Sequence, residues 1–178
     1  INPIMPSKVI TSFGSAFTKP GEALYKDAEE IGKIIAKNKW NVCSGGYFGT
    51  MEAISMGAKS IGGKTLGVTV KGWDAVPNRY IDEEIRMPNL MERIVELIGI
   101  ADAFVVFKGG TGTLVEISVA LELMNKKDIK KKMMIFYTDF WSNLIEILKL
   151  DSEYLKQLLQ RNVRFINHPE ELDKLLTL

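Results

Sequence analysis

Short runs of apolar and β-branched residues recur along the chain. Each is followed by glycine or polar punctuation and then by a longer segment in which apolar residues return every three or four positions. Residues 9–13 (VITSF) predict a first strand. After Gly14 and Ser15, residues 21–37 predict a helix with Leu24, Ala28, Ile31 and Ile35 on one face. Residues 40–43 predict a second strand closed by Gly45 and Gly46, and the helix after it carries Met51, Ile54 and Ala58. Residues 65–70 predict a third strand. The stretch 72–79, with Trp73 and Pro77, reads as a long irregular loop of the kind that borders binding sites. Helical spacing returns over residues 89–100 through Ile94, Leu97 and Ile98, and residues 103–107 form the most strand-like run in the chain. Residues 133–137 and 163–166 predict two further strands, with helices over 141–148, 153–160 and 170–176.

Nearly continuous apolar strands alternating with amphipathic helices imply a parallel sheet covered on both faces, because right-handed crossovers place helices on either side. The expected architecture is a Rossmann-like doubly wound α/β fold. It is expected to form a single domain over residues 1–178, with residues 1–8 an irregular N-terminus. No composition break, low-complexity tract or repeat period divides the chain.

Composition changes this picture mainly by exclusion. Of 178 residues, 46% are hydrophobic and 25% charged, an ordinary globular balance. The net charge of +1 supplies no global field toward nucleic acid or an anionic membrane, so neither is the expected partner. The lysine-rich run from Lys126 to Lys132 reads as a solvated helix end. The single cysteine, Cys43, has no disulfide partner within the chain and reads as a small buried residue. With His168 the only histidine, a histidine-based metal site or Cys/His catalytic pair has no support. No apolar run approaches the roughly 18 residues of a membrane span, and the expected setting is cytoplasmic.

Ligands of open parallel sheets bind beyond the carboxyl ends of the strands. Three glycine-rich turns are expected at that edge: Gly14-Ser15; Ser44-Gly45-Gly46-Tyr47-Phe48-Gly49-Thr50; and Lys108-Gly109-Gly110-Thr111-Gly112-Thr113. The third follows the strongest strand and opens a helix. Its bare backbone and unpaired N–H groups, with the Thr113 hydroxyl, suit a phosphate. It lacks the Gly-Lys-Ser/Thr ending of a triphosphate loop, and no acidic strand end follows at the dinucleotide-binding distance. Met91-Glu92-Arg93 on the preceding helix and Glu116 one turn beyond the loop can frame a ribose. Taken singly, Arg93 also reads as a surface salt bridge to Glu92 or Glu96, and Glu116 as a helix-start carboxylate. Trp73, Tyr80 and Met87 read either as walls of a base pocket or as core and subunit contacts.

At these residues the chain resembles the Lonely Guy (LOG) family, cytokinin riboside 5'-monophosphate phosphoribohydrolases often labelled lysine decarboxylases. The resemblance is carried by Leu90-Met91-Glu92-Arg93-Ile94, by Ala101-Asp102-Ala103-Phe104 and by Lys108-Gly109-Gly110-Thr111-Gly112-Thr113-Leu114-Val115-Glu116. The earlier Ser44-Gly45-Gly46-Tyr47-Phe48-Gly49-Thr50-Met51 looks like the family's first glycine loop, and the similarity runs from Val9 to Tyr137. It implies a homodimer or higher homo-oligomer with the site near the subunit interface, AMP-like substrates, and N-glycosidic cleavage releasing a base and ribose 5-phosphate. By the resemblance, Arg93 and Glu116 are the catalytic pair and Gly110, Gly112 and Thr113 hold the phosphate. No cofactor or metal is implied, and nothing marks the pyridoxal-binding lysine that a decarboxylase needs.

Two positions depart from the family pattern: Lys108 stands where the family has proline, and Ile94 where it has lysine. Lys108 can return a positive charge to the phosphate. The alternative is a non-catalytic carrier or sensor of a phosphorylated nucleotide or molybdopterin-type cofactor, because Ser44-Gly45-Gly46 and the Trp73 loop also resemble the related molybdenum cofactor carriers.

Overall fold

The computed structural model describes residues 7–177; residues 1–6, most of the expected irregular N-terminus, lie outside the described part. In chain order the elements are β1 (Val9–Phe13), α1 (Ala23–Lys37), β2 (Asn41–Ser44), α2 (Thr50–Ser60), β3 (Thr65–Val70), β4 (Glu83–Met87) and α3 (Leu90–Ile100). They continue with β5 (Ala103–Val106), α4 (Thr111–Asn125), β6 (Met133–Tyr137), α5 (Ser142–Leu148), α6 (Glu153–Asn162), β7 (Val163–Ile166) and α7 (Glu170–Leu176). The strands form one parallel sheet in the order β4-β3-β2-β1-β5-β6-β7. This is the expected Rossmann-like α/β architecture.

Alternation along the strands splits the core into two layers. Ile10, Val42, Val105 and Ile135 face α1, α2 and α7, while Phe13, Val68, Phe104, Val106 and Phe136 face α3, α4, α5 and α6. Cys43 is fully buried in the second layer, and burial pushes its thiol up to about 12.

β4 is the element that the apolar pattern does not announce. Its sequence, EEIRM, carries Glu83, Glu84 and Arg86 exposed on the sheet edge, where only one side of the strand needs a partner. Charged side chains blunt such an edge against pairing with another chain. Register with β3 is reinforced by Thr69 Oγ1, which donates to Glu84 Oε1 at 2.5 Å.

The chain builds β1 to β4 outward in one direction and then returns through α3 to place β5 on the other side of β1. That reversal opens a crevice between the loops following β1 and β5, the usual ligand position of such sheets. Two of the helices bordering the site start beside it: Gly49 precedes α2 and Gly110 precedes α4.

α2 is held close to α1 by two bare positions. A Cβ at Gly32 would overlap the Ile54 carbonyl oxygen, and one at Gly57 would overlap the Glu29 carbonyl oxygen, so the helices touch backbone to backbone. Alanine at position 57 gains about 1 kcal/mol of helix propensity but overpacks a rigid contact, which costs about 1–3 kcal/mol or more. The backbone overlap makes packing outweigh propensity, so Gly57→Ala is expected to lower the denaturant midpoint, with an unchanged m value and a net loss of up to about 2 kcal/mol. An equal or higher midpoint would show that the helices separate freely.

Candidate nucleotide-binding site

The loops at the carboxyl edge are tied to one another before any ligand is considered. Ser15 N donates to Lys108 O at 3.1 Å, and Ser15 O accepts from Thr50 N at 2.9 Å and Thr50 Oγ1 at 3.2 Å. Asn78 braces the second glycine loop from the β3–β4 connection, its side-chain amide donating to Tyr47 O at 2.7 Å and Gly46 O at 3.2 Å. Gly46 and Gly49 hold φ of +77° and +69°, which a side chain would strain.

The glycines divide by what a Cβ would meet. At Gly14 it would overlap Thr50 Oγ1, at Gly45 the Arg93 guanidinium, at Gly49 the Ser15 carbonyl oxygen, and at Gly109 the Thr113 side chain. These four are bare so that neighbouring parts of the protein can approach. At Gly110 and Gly112 a Cβ would meet nothing within 4 Å, and both line an open cleft. Here the missing side chains leave room for a guest. Gly110 caps α4 without a side-chain hydrogen bond, so the first N–H groups of that helix have no intrahelical or side-chain acceptor and favour an anion.

The cleft, about 270 Å³, is lined by Ser12, Gly14, Ala16 and Phe17 from β1 and its loop, by Tyr47, Met51 and Trp73, by Arg93 of α3, and by Gly110, Thr111, Gly112, Thr113 and Glu116 of α4. Arg93 is no surface ion pair: it is 6% exposed, and Nε donates to Val68 O at 2.7 Å. Its guanidinium lies 5.7 Å from the ring centres of both Tyr47 and Trp73, which stack with each other. Nη1 stands 3.7 Å from Glu116 Oε1, close enough for charge attraction but too long for a hydrogen bond.

Burial therefore outweighs pairing. It pushes the Glu116 carboxyl up to about 7 although Arg93 pulls it down, and it lowers Arg93 although Glu116, Tyr47 and Cys43 act to raise it. A carboxyl that titrates near neutrality can accept a proton from water, and its ionised form can face a developing positive charge.

Of the sequence candidates, Gly14, Gly110, Thr111, Gly112, Thr113, Arg93 and Glu116 meet around the cleft. Ser15, Gly45, Gly46, Gly49, Thr50 and Gly109 form the framework behind it. Met91 is 57% exposed on α3 outside the lining, and Lys108 points elsewhere, with Nζ 5.6 Å above the Phe140 ring. Trp73 reaches the cleft, whereas Tyr80 and Met87 do not line it. Ser12, Phe17 and Asn78 went unread in the sequence. Ser12 is the single buried side-chain oxygen among the described residues without a partner, and neither it nor Asn78 belongs to a glycine motif that would mark it.

The sequence profile of the family described as SLOG cluster4 matches residues 7–164. A cytokinin riboside 5'-monophosphate phosphoribohydrolase of Mycobacterium tuberculosis is 36% identical over 93 residues, 51% of this chain and 50% of that protein. A pyrimidine/purine nucleotide 5'-monophosphate nucleosidase of Escherichia coli is 24% identical over 166 residues, 88% of this chain and 36% of the enzyme. The match thus spans half or less of either curated relative. Among solved structures, the molybdenum cofactor binding protein of Rippkaea orientalis superposes with a TM-score of 0.75 at 24% identity, covering 97% of each chain. DNA processing protein A of Streptococcus pneumoniae gives 0.64 at 18% identity, over 93% of this chain and 60% of that one. These two likenesses establish the fold.

The raised carboxyl has a thermodynamic signature. Folding lifts Glu116 from the ordinary 4.5 to about 7, so the folded state holds a proton that the unfolded state releases. That contribution is fully present below about pH 4.5 and is lost as pH rises through about 7. The stability of the parent relative to Glu116→Gln is expected to fall over this window by on the order of 3 kcal/mol. Paired denaturant titrations from pH 4.5 to 8 measure it, and a constant difference would place Glu116 in ordinary solvent.

Proposed function

The chain belongs to the SLOG cluster4 family, and from that premise we propose that it hydrolyses the N-glycosidic bond of nucleoside 5'-monophosphates, releasing a free base and ribose 5-phosphate. The observation that carries this reading is the buried Arg93–Glu116 pair facing the same cleft as the uncapped N-terminus of α4. The names of the mycobacterial and Escherichia coli relatives support the same reaction class.

In this reading the 5'-phosphate sits on the N–H groups of α4 and the Thr113 hydroxyl, where the helix dipole favours negative charge. The ribose then lies toward Arg93 and Glu116, and the base toward the Tyr47–Trp73 stack. As the bond from C1' to the base breaks, positive charge grows on the sugar ring, and ionised Glu116 stabilises it. Water adds its oxygen to C1', Glu116 accepts the proton, and the base leaves protonated by solvent. Arg93 favours the ionised form of Glu116 against the effect of burial and can donate to sugar hydroxyls.

The alternative, binding without turnover, uses the same phosphate cradle. Neither departure from the LOG pattern lines the cleft: Ile94 is 1% exposed, and Lys108 lies over Phe140. Both leave Arg93 and Glu116 facing the cleft, which favours the hydrolase.

A second copy of the chain belongs to the proposal. Leu90, Met91 and Val95 of α3 and Leu114 and Val115 of α4 are exposed apolar residues beside the cleft, and Leu90 and Val115 border a groove that reaches Arg93 and Glu116. Such a patch next to a site suits a subunit interface. Val95→Glu is expected to convert a dimer to monomer in sedimentation analysis; a parent that sediments as a monomer at all concentrations would remove the dimer.

The decisive assay incubates the protein with AMP and follows free adenine and ribose 5-phosphate by chromatography. Release is expected, with kcat/KM rising as pH passes through about 7, and with a loss of about 10²–10⁴-fold in Glu116→Gln. AMP that binds but stays intact would make the protein a carrier or sensor.

A further inference from the structure

Gly45 belongs to a loop that the sequence marks for phosphate, yet it does not line the cleft. A Cβ built on it would overlap Arg93 Nη2, with Arg93 Cζ at 3.0 Å and Met51 Sδ at 2.7 Å. Its φ is not among the positive values, so backbone conformation does not require glycine there. What requires it is the guanidinium lying against its α carbon. We propose that Gly45 is a positioning residue for Arg93: the missing side chain at position 45 is the space that lets the guanidinium stand opposite Glu116.

The alternatives open to Arg93 are few. Nε is anchored on Val68 O, the rings of Tyr47 and Trp73 flank the guanidinium, and the whole residue is buried. A methyl group at position 45 therefore displaces the guanidinium from its seat, into the open space that Arg93 borders and out of its present position opposite Glu116. Met51 yields more easily, because its sulfur lies near the end of a flexible side chain. Glycine at position 46 works differently: there φ is +77° and the nearest atoms a Cβ would meet are Thr69 Cγ2 and the backbone of Gly67 rather than Arg93. Two adjacent glycines thus serve separate ends, one the turn and one the arginine.

The consequence for the site follows from charge. Among the described residues, the groups acting on Arg93 are Glu116 from α4, Tyr47 from the second glycine loop and Cys43 on β2, while Arg93 is the one charge acting on Glu116. Moving the guanidinium away removes the interaction that opposes burial, so the Glu116 carboxyl holds its proton to higher pH. Gly45 in this way sets the protonation of a residue it does not touch.

This inference rests on the proposed role of the Arg93–Glu116 pair for its catalytic meaning, but its test does not need turnover. The Glu116 carboxyl is titrated by carbon NMR in the full chain, comparing the parent with Gly45→Ala, Gly46→Ala, Arg93→Ala and Gly45→Ala/Arg93→Ala. Gly45→Ala is expected to raise the midpoint by a pH unit or more, a tenfold shift in the ionisation equilibrium. Gly46→Ala is expected to lower the melting temperature and leave the midpoint in place. In the Arg93→Ala background, alanine at position 45 is expected to leave the midpoint in place and to lower the melting temperature much less, because only the flexible Met51 side chain still has to yield. If turnover is present, the acid limb of kcat/KM moves upward in Gly45→Ala, and the loss shrinks at alkaline pH.

An unshifted Glu116 midpoint in Gly45→Ala would overturn the proposal. So would an equal destabilisation by alanine at position 45 with and without Arg93, a comparison that stands even if the single variant folds poorly. Intact AMP together with the expected midpoint shift would instead sink the hydrolase reading and leave Gly45 as the seat of Arg93.

Discussion

One buried guanidinium organises the carboxyl edge of this sheet. Taking a charge out of water costs several kcal/mol unless the surroundings replace its solvation, and the surroundings of Arg93 come from four places in the chain. Val68 on β3 offers a carbonyl, Tyr47 and Trp73 offer ring faces from two different loops, and Glu116 on α4 offers the opposite charge. Gly45 offers the room. Each contribution fixes a loop relative to α3, so the loops after β2 and β3 and the start of α4 share one anchor. Because the carboxylate stands off at 3.7 Å, attraction does not fully offset desolvation, and the Glu116 carboxyl is left poised near neutral pH.

Glycine does two unlike jobs around that anchor. Gly14, Gly45, Gly49 and Gly109 are bare because protein atoms occupy the space a side chain would need, whereas Gly110 and Gly112 are bare beside an open cleft. The first group makes the loops close enough to hold one another. The second leaves the end of α4 accessible, so the dipole and the unpaired N–H groups act on whatever enters. The proposed phosphate cradle at this edge thus depends on packing behind it as much as on the N–H groups in front.

Fold and function are separate questions for this chain. Its fold is shared with proteins named for molybdenum cofactor binding and for DNA processing, while its sequence relatives are named for acting on nucleotide monophosphates. The scaffold is therefore no guide to the reaction, and side chains must distinguish nucleotide cleavage from binding alone. In the proposed reaction Arg93 and Glu116 would supply charge where charge develops, the Tyr47–Trp73 stack a flat apolar wall, and the uncapped end of α4 a seat for the anion.

Much of the fold was legible because burial leaves a period in the sequence. The central strands are covered on both faces and read as apolar runs, and α1 and α3 show their buried faces at helical spacing. β4 left no such trace, since an edge strand needs few apolar residues and this one is charged for solvent. The order and chemistry of the motifs around positions 45, 93 and 110–116 were also readable from the chain alone. Only the folded structure decided that Arg93 is buried rather than a surface ion pair, that Lys108 turns away toward Phe140, that Asn78 braces the second glycine loop, and that Gly45 serves the arginine. The reason is physical: periodicity records which side of one element faces the core, while the meeting of Gly45, Val68, Trp73, Arg93 and Glu116 depends on how successive crossovers bring separate loops to one edge. Spacing along a chain does not contain that distance.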